Sequence, residues 1–294
     1  MALSKMKINK IIVLALKEDR AFNDISTKAV GASSARGRAK IIARQDGILC
    51  GIDIAREAFK AVDNKLRLSG SFKDSDRLKK GDVVLEIKGS QASILMAERT
   101  ALNFLSHLSG ISTLTSKFVE RLKSATTRLL DTRKTLPGLR DLEKYAVVAG
   151  GGENHRRGLS DMYLLKENHI SAAGGVENAL RKALSHRRKV TSRRKGPAPA
   201  IEIEVTGLDE LKRALDFDIE RIMLDNFSVS MVRKAIDLAK KARNGKKWIE
   251  LEVSGGINLG SIGKYARTGV DCISVGALTH SAPAFDFSLI LDKR

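Results

Sequence analysis

The chain has 294 residues, with 53 Lys+Arg against 34 Asp+Glu for a formal charge of +19, and 43% of it is hydrophobic. That length holds one large or two ordinary domains around a sizeable core. Two cysteines, Cys50 and Cys272, are too few for a disulfide framework, an iron–sulfur cluster or a thiolate zinc site. The charge attracts polyanions without choosing among nucleic acid, membrane surface and phosphorylated small molecules, and 4% aromatics disfavours a base-stacking platform.

Ile8, Ile11, Ile12, Ala15 and Leu16 recur at spacings of three and four, which predicts an opening helix with a core-facing stripe. The apolar run Ile11–Leu16 is far shorter than the roughly 18–20 residues of a membrane span, so the reading is a cytoplasmic protein with no membrane partner. Strand-like runs follow at Ala39–Ala43, Gly47–Cys50, Leu66–Leu68 and Val83–Ile87, broken by the turn signals Asp46-Gly47 and Gly81-Asp82. This half reads as α+β with an antiparallel sheet. Leu95, Leu102, Leu105 and Leu108 then mark a helix from Ala92, expected to end at Ser109-Gly110 with the glycine as its left-handed cap. The domain boundary is placed there: 1–110 form an N-terminal domain, 111–278 a second, and the tail 279–294 is expected to rejoin the first.

Beyond the boundary, apolar runs alternate with longer amphipathic stretches: Arg128–Asp131, Met162–Lys166, Ala200–Val205, Arg221–Asp225, Trp248–Val253 and Asp271–Gly276. Such alternation implies parallel βαβ units. Nearly every run ends in reactive or glycine-rich residues, and the carboxyl ends of strands are where α/β barrels build sites, so a barrel is favoured over a doubly wound sheet. Between Ser185 and Pro199, Arg187-Arg188-Lys189 and Arg193-Arg194-Lys195 supply six cations and no acid. This predicts an exposed loop, either a solvated insertion or a binding loop for nucleic acid or a partner; the absence of aromatics supports the former.

Arg133, Lys134, Arg140, His155, Arg156, Arg157, Lys166 and His169 crowd into 131–169 around Gly150-Gly151-Gly152. Like charges gathered at one barrel mouth without an anion cost stability, so an anion-binding site is expected. Ser254-Gly255-Gly256 and Val275-Gly276-Ala277 follow the last two strands, where backbone N–H groups grip phosphate in many barrels; tight turns alone are the alternative. Glu204 and Asp225 close the two strands before these, placed for ribose hydroxyls or a divalent ion, or else for salt bridges to Lys166 or Lys134. Arg99, Asn103 and His107 share one polar helix face, which solvent exposure would explain equally well. Cys50 and Cys272 read as core residues. There is no P-loop, GxGxxG, HExxH or GxSxG, and no nucleophilic triad can be assembled.

The strings ERTALNFLSHLSGI (Glu98–Ile111), DTRKTLPGLRDLEKYAVVAGGGENHRRGLSD (Asp131–Asp161), LLKENH (Leu164–His169), IEIEV (Ile201–Val205), LDNF (Leu224–Phe227), SGGI and VGALTH together resemble the quinolinate phosphoribosyltransferases, nicotinate-nucleotide pyrophosphorylases of NAD biosynthesis. The resemblance covers essentially the whole chain. It implies an N-terminal α/β sandwich and a C-terminal open α/β barrel, working as a homodimer. In that dimer Arg99 would reach the partner's site as a quinolinate ligand, completing a pocket made by Arg133, His155, Arg156 and Lys166. Lys134, Glu204 and Asp225 would hold phosphoribosyl pyrophosphate, with Thr132 also binding substrate. Ser254, Gly255, Gly256, Val275, Gly276 and Ala277 would take its 5′-phosphate, and Mg2+ would arrive with the pyrophosphate. Lys134, Lys166, Glu204 and Asp225 carry the expected catalytic roles. Val148 stands where many relatives have a basic residue, and the 187–195 stretch is foreign to the family pattern. The competing readings are a related barrel phosphoribosyltransferase with another substrate, and a basic nucleic-acid-binding protein on an enzyme scaffold.

Overall fold

A computed structural model describes residues 5–32, 35–122, 126–192, 196–243, 245 and 247–292. They divide into two compact units, one from Met1–Ser116, Leu136–Gly151 and Leu278–Arg294, the other from Lys117–Thr135 and Gly152–Ala277. No helix among the described residues is long and apolar enough to cross a membrane.

The first unit opens with α1 (Lys5–Glu18) and α2 (Ile25–Ala29), then β1 (Arg36–Ala43), β2 (Gly47–Ile48), α3 (Ile52–Val62), β3 (Arg67–Ser69), β4 (Arg77–Leu78), β5 (Val83–Ser90) and α4 (Gln91–Leu122). Period-two burial of Ala39, Ile41 and Ala43 fixes which face of β1 turns inward. The sheet order is β12-β1-β5-β3, antiparallel throughout, and β12 (Phe287–Leu291) brings the C-terminal tail to the edge of β1. Ile52, Ile54, Ala55, Ala58 and Phe59 of α3 are buried, each large side chain contributing roughly 1.5–3 kcal/mol.

One expectation here is corrected: α4 does not stop at Ser109-Gly110 but runs unbroken to Leu122. Gly110 is a mid-helix residue because a Cβ there would overlap the Pro283 carbonyl, so its glycine serves a close approach and not a cap. His107, expected on one polar helix face with Arg99 and Asn103, turns onto the wholly buried Glu143 of α5 (Arg140–Ala149) at 2.9 Å. Arg99 and Asn103 are exposed.

The second unit alternates β6 (Arg128–Leu130), β7 (Tyr163–Leu165), α6 (Glu167–Ala173), α7 (Val176–Thr191), β8 (Ile201–Val205), α8 (Leu208–Ala214), β9 (Arg221–Asp225), α9 (Val229–Arg243), β10 (Glu250–Ser254), α10 (Ile262–Ala266) and β11 (Cys272–Ser274), with α11 (Ala277–His280) after it. All six strands pair in parallel in the order β6-β11-β10-β9-β8-β7. The order never reverses, and the first strand lies beside the last, which is the topology of a barrel and not of a doubly wound sheet. No ladder joins β6 to β7, so the barrel is open. Ile222, Leu224, Leu251 and Val253 are fully buried, and α7 and α9 cover the sheet with Val176, Ala179, Leu180, Val232, Ala235 and Ile236.

The predicted basic loop is also corrected. Arg187, Arg188 and Lys189 belong to α7, and Arg187 donates to Glu220 at 2.8 Å and 2.9 Å while Glu220 accepts the Ile201 N–H that opens β8. Half of that cationic run is therefore helix and structural brace. Arg193, Arg194 and Lys195 lie outside the described residues.

Candidate active site

The carboxyl ends of the six strands carry the candidate residues. After β6 the chain turns sharply, with Thr132 Oγ1 accepting the Lys134 N–H at 3.0 Å, so that Arg133 and Lys134 project from the strand end. The segment at Glu153 returns beside β6 in parallel. Buried Asp131 there accepts the His155 N–H at 2.8 Å, which fixes where Arg156 begins. Arg156 Nη1 donates to the Met162 carbonyl, but the Nε atoms of Arg133 and Arg156 are both buried without a hydrogen-bond partner. Burial, and then the Arg133 charge nearby, hold the Arg156 guanidinium below its usual range. Two guanidiniums close enough for one charge to act on the other, each with an unused buried Nε donor, have the chemistry that suits a multiply charged anion.

Lys166 follows β7 and pairs with Glu204 at the end of β8, realising the salt-bridge alternative for both residues. Asp225 ends β9 and accepts from Asn226 Nδ2 at 2.8 Å. Asn226 has φ +57°, left-handed for a residue with a side chain, and donates its N–H to the Ser254 carbonyl at 2.9 Å. Gly255 and Gly256 then sit at φ +98° and +61°, and a Cβ on Gly255 would overlap Asn226 Oδ1. The glycine pair is thus required by backbone conformation and close approach, giving bare N–H groups at the mouth. Val275 donates its N–H to the Leu130 carbonyl at 3.0 Å, which sets Gly276 and Ala277 beside the end of β6.

Below the mouth the barrel interior is charged. His155 Nε2 lies 3.1 Å from Glu202 and 3.4 Å from Glu252, and Arg221 lies 2.9 Å from both Glu252 and Glu250. Burial opposes a charged His155, yet the two carboxylates prevail and push it up to about 9. Burial and the Glu252 charge raise Glu202, whereas His155 and Arg221 hold Glu252 low despite burial.

The structure therefore gathers Thr132, Arg133, Lys134, His155, Arg156, Lys166, Glu204, Asp225, Ser254, Gly255, Gly256, Val275, Gly276 and Ala277 at one end of one sheet, and places Arg99 on α4 of the other unit. The residue-level reading passed over Glu202 and Glu252. The signal for both was present: Ile201–Val205 and Glu250–Val253 each carry carboxylates two residues apart inside otherwise apolar strands, so both point one way.

The chain matches the model of the quinolinate phosphoribosyl transferase C-terminal domain over residues 111–290 and that of the N-terminal domain over 24–109. It is 40% identical to quinolinate phosphoribosyltransferase [decarboxylating] 1 of Nicotiana glauca, over 96% of this chain and 81% of that one. It is 37% identical to the chloroplastic nicotinate-nucleotide pyrophosphorylase [carboxylating] of Arabidopsis thaliana, over 97% and 83%. The solved nicotinate-nucleotide pyrophosphorylase of Francisella tularensis superposes with a TM-score of 0.89 at 40% identity, covering 99% of this chain and 98% of its own. By its motifs, its barrel and these likenesses, the chain belongs to the quinolinate phosphoribosyltransferase family.

Proposed function

We propose that this chain transfers the phosphoribosyl group of phosphoribosyl pyrophosphate to quinolinate and releases CO2 and pyrophosphate, forming nicotinate mononucleotide for NAD biosynthesis in the cytoplasm. The observation that carries the reading is the pair Arg133 and Arg156, two neighbouring guanidiniums with buried, unused Nε donors, which suit the two carboxylates of quinolinate. His155 and Lys166 complete that pocket, and Arg99 enters from a second copy of the chain in a homodimer. Thr132, Lys134, Glu204 and Asp225 hold the ribose and pyrophosphate, and the loops at Ser254–Gly256 and Val275–Ala277 take the 5′-phosphate. Two buried, unpaired thiols suit a reducing compartment.

No side-chain nucleophile is needed. The pyridine nitrogen attacks C1 of the ribose while the C1–O bond breaks and its electrons leave with pyrophosphate; Lys134 faces the departing charge and Glu204 or Asp225 the oxocarbenium-like ribose. Glu204 and Asp225, on adjacent strands, offer the carboxylate oxygens a hard cation takes, so Mg2+ brought with the pyrophosphate fits here and would neutralise the leaving group. As the 2-carboxylate leaves as CO2, the electron pair of the broken C–C bond stays on C2, stabilised by the positive charge of the adjacent quaternised ring nitrogen, and C2 then takes a proton. Quinolinate labelled in its 2-carboxylate tests this: label should leave as CO2 only when phosphoribosyl pyrophosphate and Mg2+ are present. Label retained in the nucleotide would overturn it. For the shared site, R99A and K166A subunits, each inactive, should regain activity when exchanged into mixed dimers; no recovery despite exchange would refute donation by Arg99.

A further inference from the structure

The turn that carries Arg133 and Lys134 is closed by its own bonds: the Lys134 N–H onto Thr132 Oγ1 and the Thr135 N–H onto the Arg133 carbonyl, both at 3.0 Å. Such bonds set the shape of a turn, whereas its direction depends on what holds the chain on either side. Upstream that is β6. Downstream, Pro137 has no N–H and confines Leu136 to extended backbone, so the Leu136 amide is the last one before the proline that can tie the exit. Although the Leu136 side chain is exposed, its N–H points at both carboxylate oxygens of Glu143, at 3.3 Å and 3.4 Å.

Glu143 is a fixed point. It is wholly buried in the first turn of α5, where the helix N-terminus favours a carboxylate. That helix is seated firmly: Ser112 Oγ of α4 donates to the Ala146 carbonyl at 2.7 Å, a Cβ on Gly150 would overlap the Ser112 carbonyl, and the Tyr145 hydroxyl donates to Asp74 at 2.8 Å. The Glu143 carboxylate also meets His107 Nε2 of α4 at 2.9 Å. An apolar residue of similar size would pack α5 against α4 without burying a charge. It could not accept the Leu136 N–H.

We propose that His107 and Glu143 are positioning residues for the transfer reaction. His107 holds Glu143 Oε1, Glu143 holds the Leu136 N–H, and that bond fixes the exit of the turn from which Arg133 and Lys134 reach quinolinate and pyrophosphate. Both act through the backbone. The inference rests on the quinolinate reading for its kinetic consequence, but the clamp itself does not.

Two measurements test this. H107L leaves a buried carboxylate short of a partner and should melt below wild type, whereas H107L/E143M removes charge and partner together and should melt near it. A purely structural pair would be replaced in full by that double variant. The proposal instead expects its KM for both quinolinate and phosphoribosyl pyrophosphate to stay raised about tenfold, because the Leu136 N–H has lost its acceptor. Ribose 5-phosphate, which needs only the 5′-phosphate loops, should bind it unchanged by calorimetry. E143Q keeps an acceptor oxygen and should bring both KM values back toward wild type. A folded H107L/E143M with wild-type KM values would overturn the proposal. Amide hydrogen exchange by NMR on the ligand-free wild type needs no variant to fold. The Leu136 N–H should exchange about tenfold or more below its unstructured rate. Exchange at the unstructured rate would overturn the clamp. Were Leu136 protected and quinolinate not consumed, the functional reading would fail alone.

Discussion

Replacing Arg133 with Met separates what the pocket does for binding from what it costs the fold. In the free protein Arg133 Nε is buried without a partner and the guanidinium lies close enough to Arg156 to depress it. An unsatisfied buried donor costs about 1–3 kcal/mol, more beside a like charge. Met keeps most of the packing volume and removes both penalties, so R133M should stabilise the ligand-free chain by about 1 kcal/mol, which in a protein of this size raises Tm by about 2 °C. Each charge-assisted hydrogen bond lost to quinolinate should cost about 1.5–3 kcal/mol, or about 10- to 150-fold in its KM. Thermal melts without ligand and initial rates with varied quinolinate check the two signs, and the KM for phosphoribosyl pyrophosphate should hold. A variant that melts lower than wild type, or that keeps its quinolinate KM, would refute the argument that Arg133 is held unpaired for an anion.

Gly255→Ala forces a side chain to φ +98° against Asn226, a strain of about 1–2 kcal/mol, and should weaken phosphoribosyl pyrophosphate about tenfold with quinolinate binding by calorimetry unchanged. Gly110→Ala drives a Cβ into the Pro283 carbonyl and should destabilise by about 1–3 kcal/mol in a denaturant melt; an unchanged midpoint would contradict the close approach. His155 has a folded pKa of about 9 against an ordinary 6.5, so the folded chain binds the proton more tightly. Its stabilisation is complete below 6.5 and is lost as pH rises through about 9, and Tm should fall over that window, less so in E202Q.

The barrel was legible because parallel strands buried on both faces read as short apolar runs, and because those runs end in groups a core cannot hold: Lys166, Asp225, Gly255. The end of α4 was not, since a glycine between apolar residues looks the same whether it caps a helix or admits a distant carbonyl, and Pro283 lies 173 residues away (283 − 110). Arg187 read as loop because a charge run carries no sign of its partner, here Glu220. Glu204 was found and Glu202 missed for a related reason: strand alternation tells which side chains share a face, but a buried carboxylate is recognised only once Arg221 and His155 are seen around it.

The most direct test is initial-rate measurement with phosphoribosyl pyrophosphate, Mg2+ and either quinolinate or nicotinate, following nicotinate mononucleotide, pyrophosphate and CO2. The account predicts product and stoichiometric CO2 with quinolinate and none with nicotinate, because two neighbouring guanidiniums with unused donors are matched by two carboxylates and not by one. Turnover with nicotinate alone would leave the phosphoribosyl site standing and contradict the pocket built on Arg133 and Arg156.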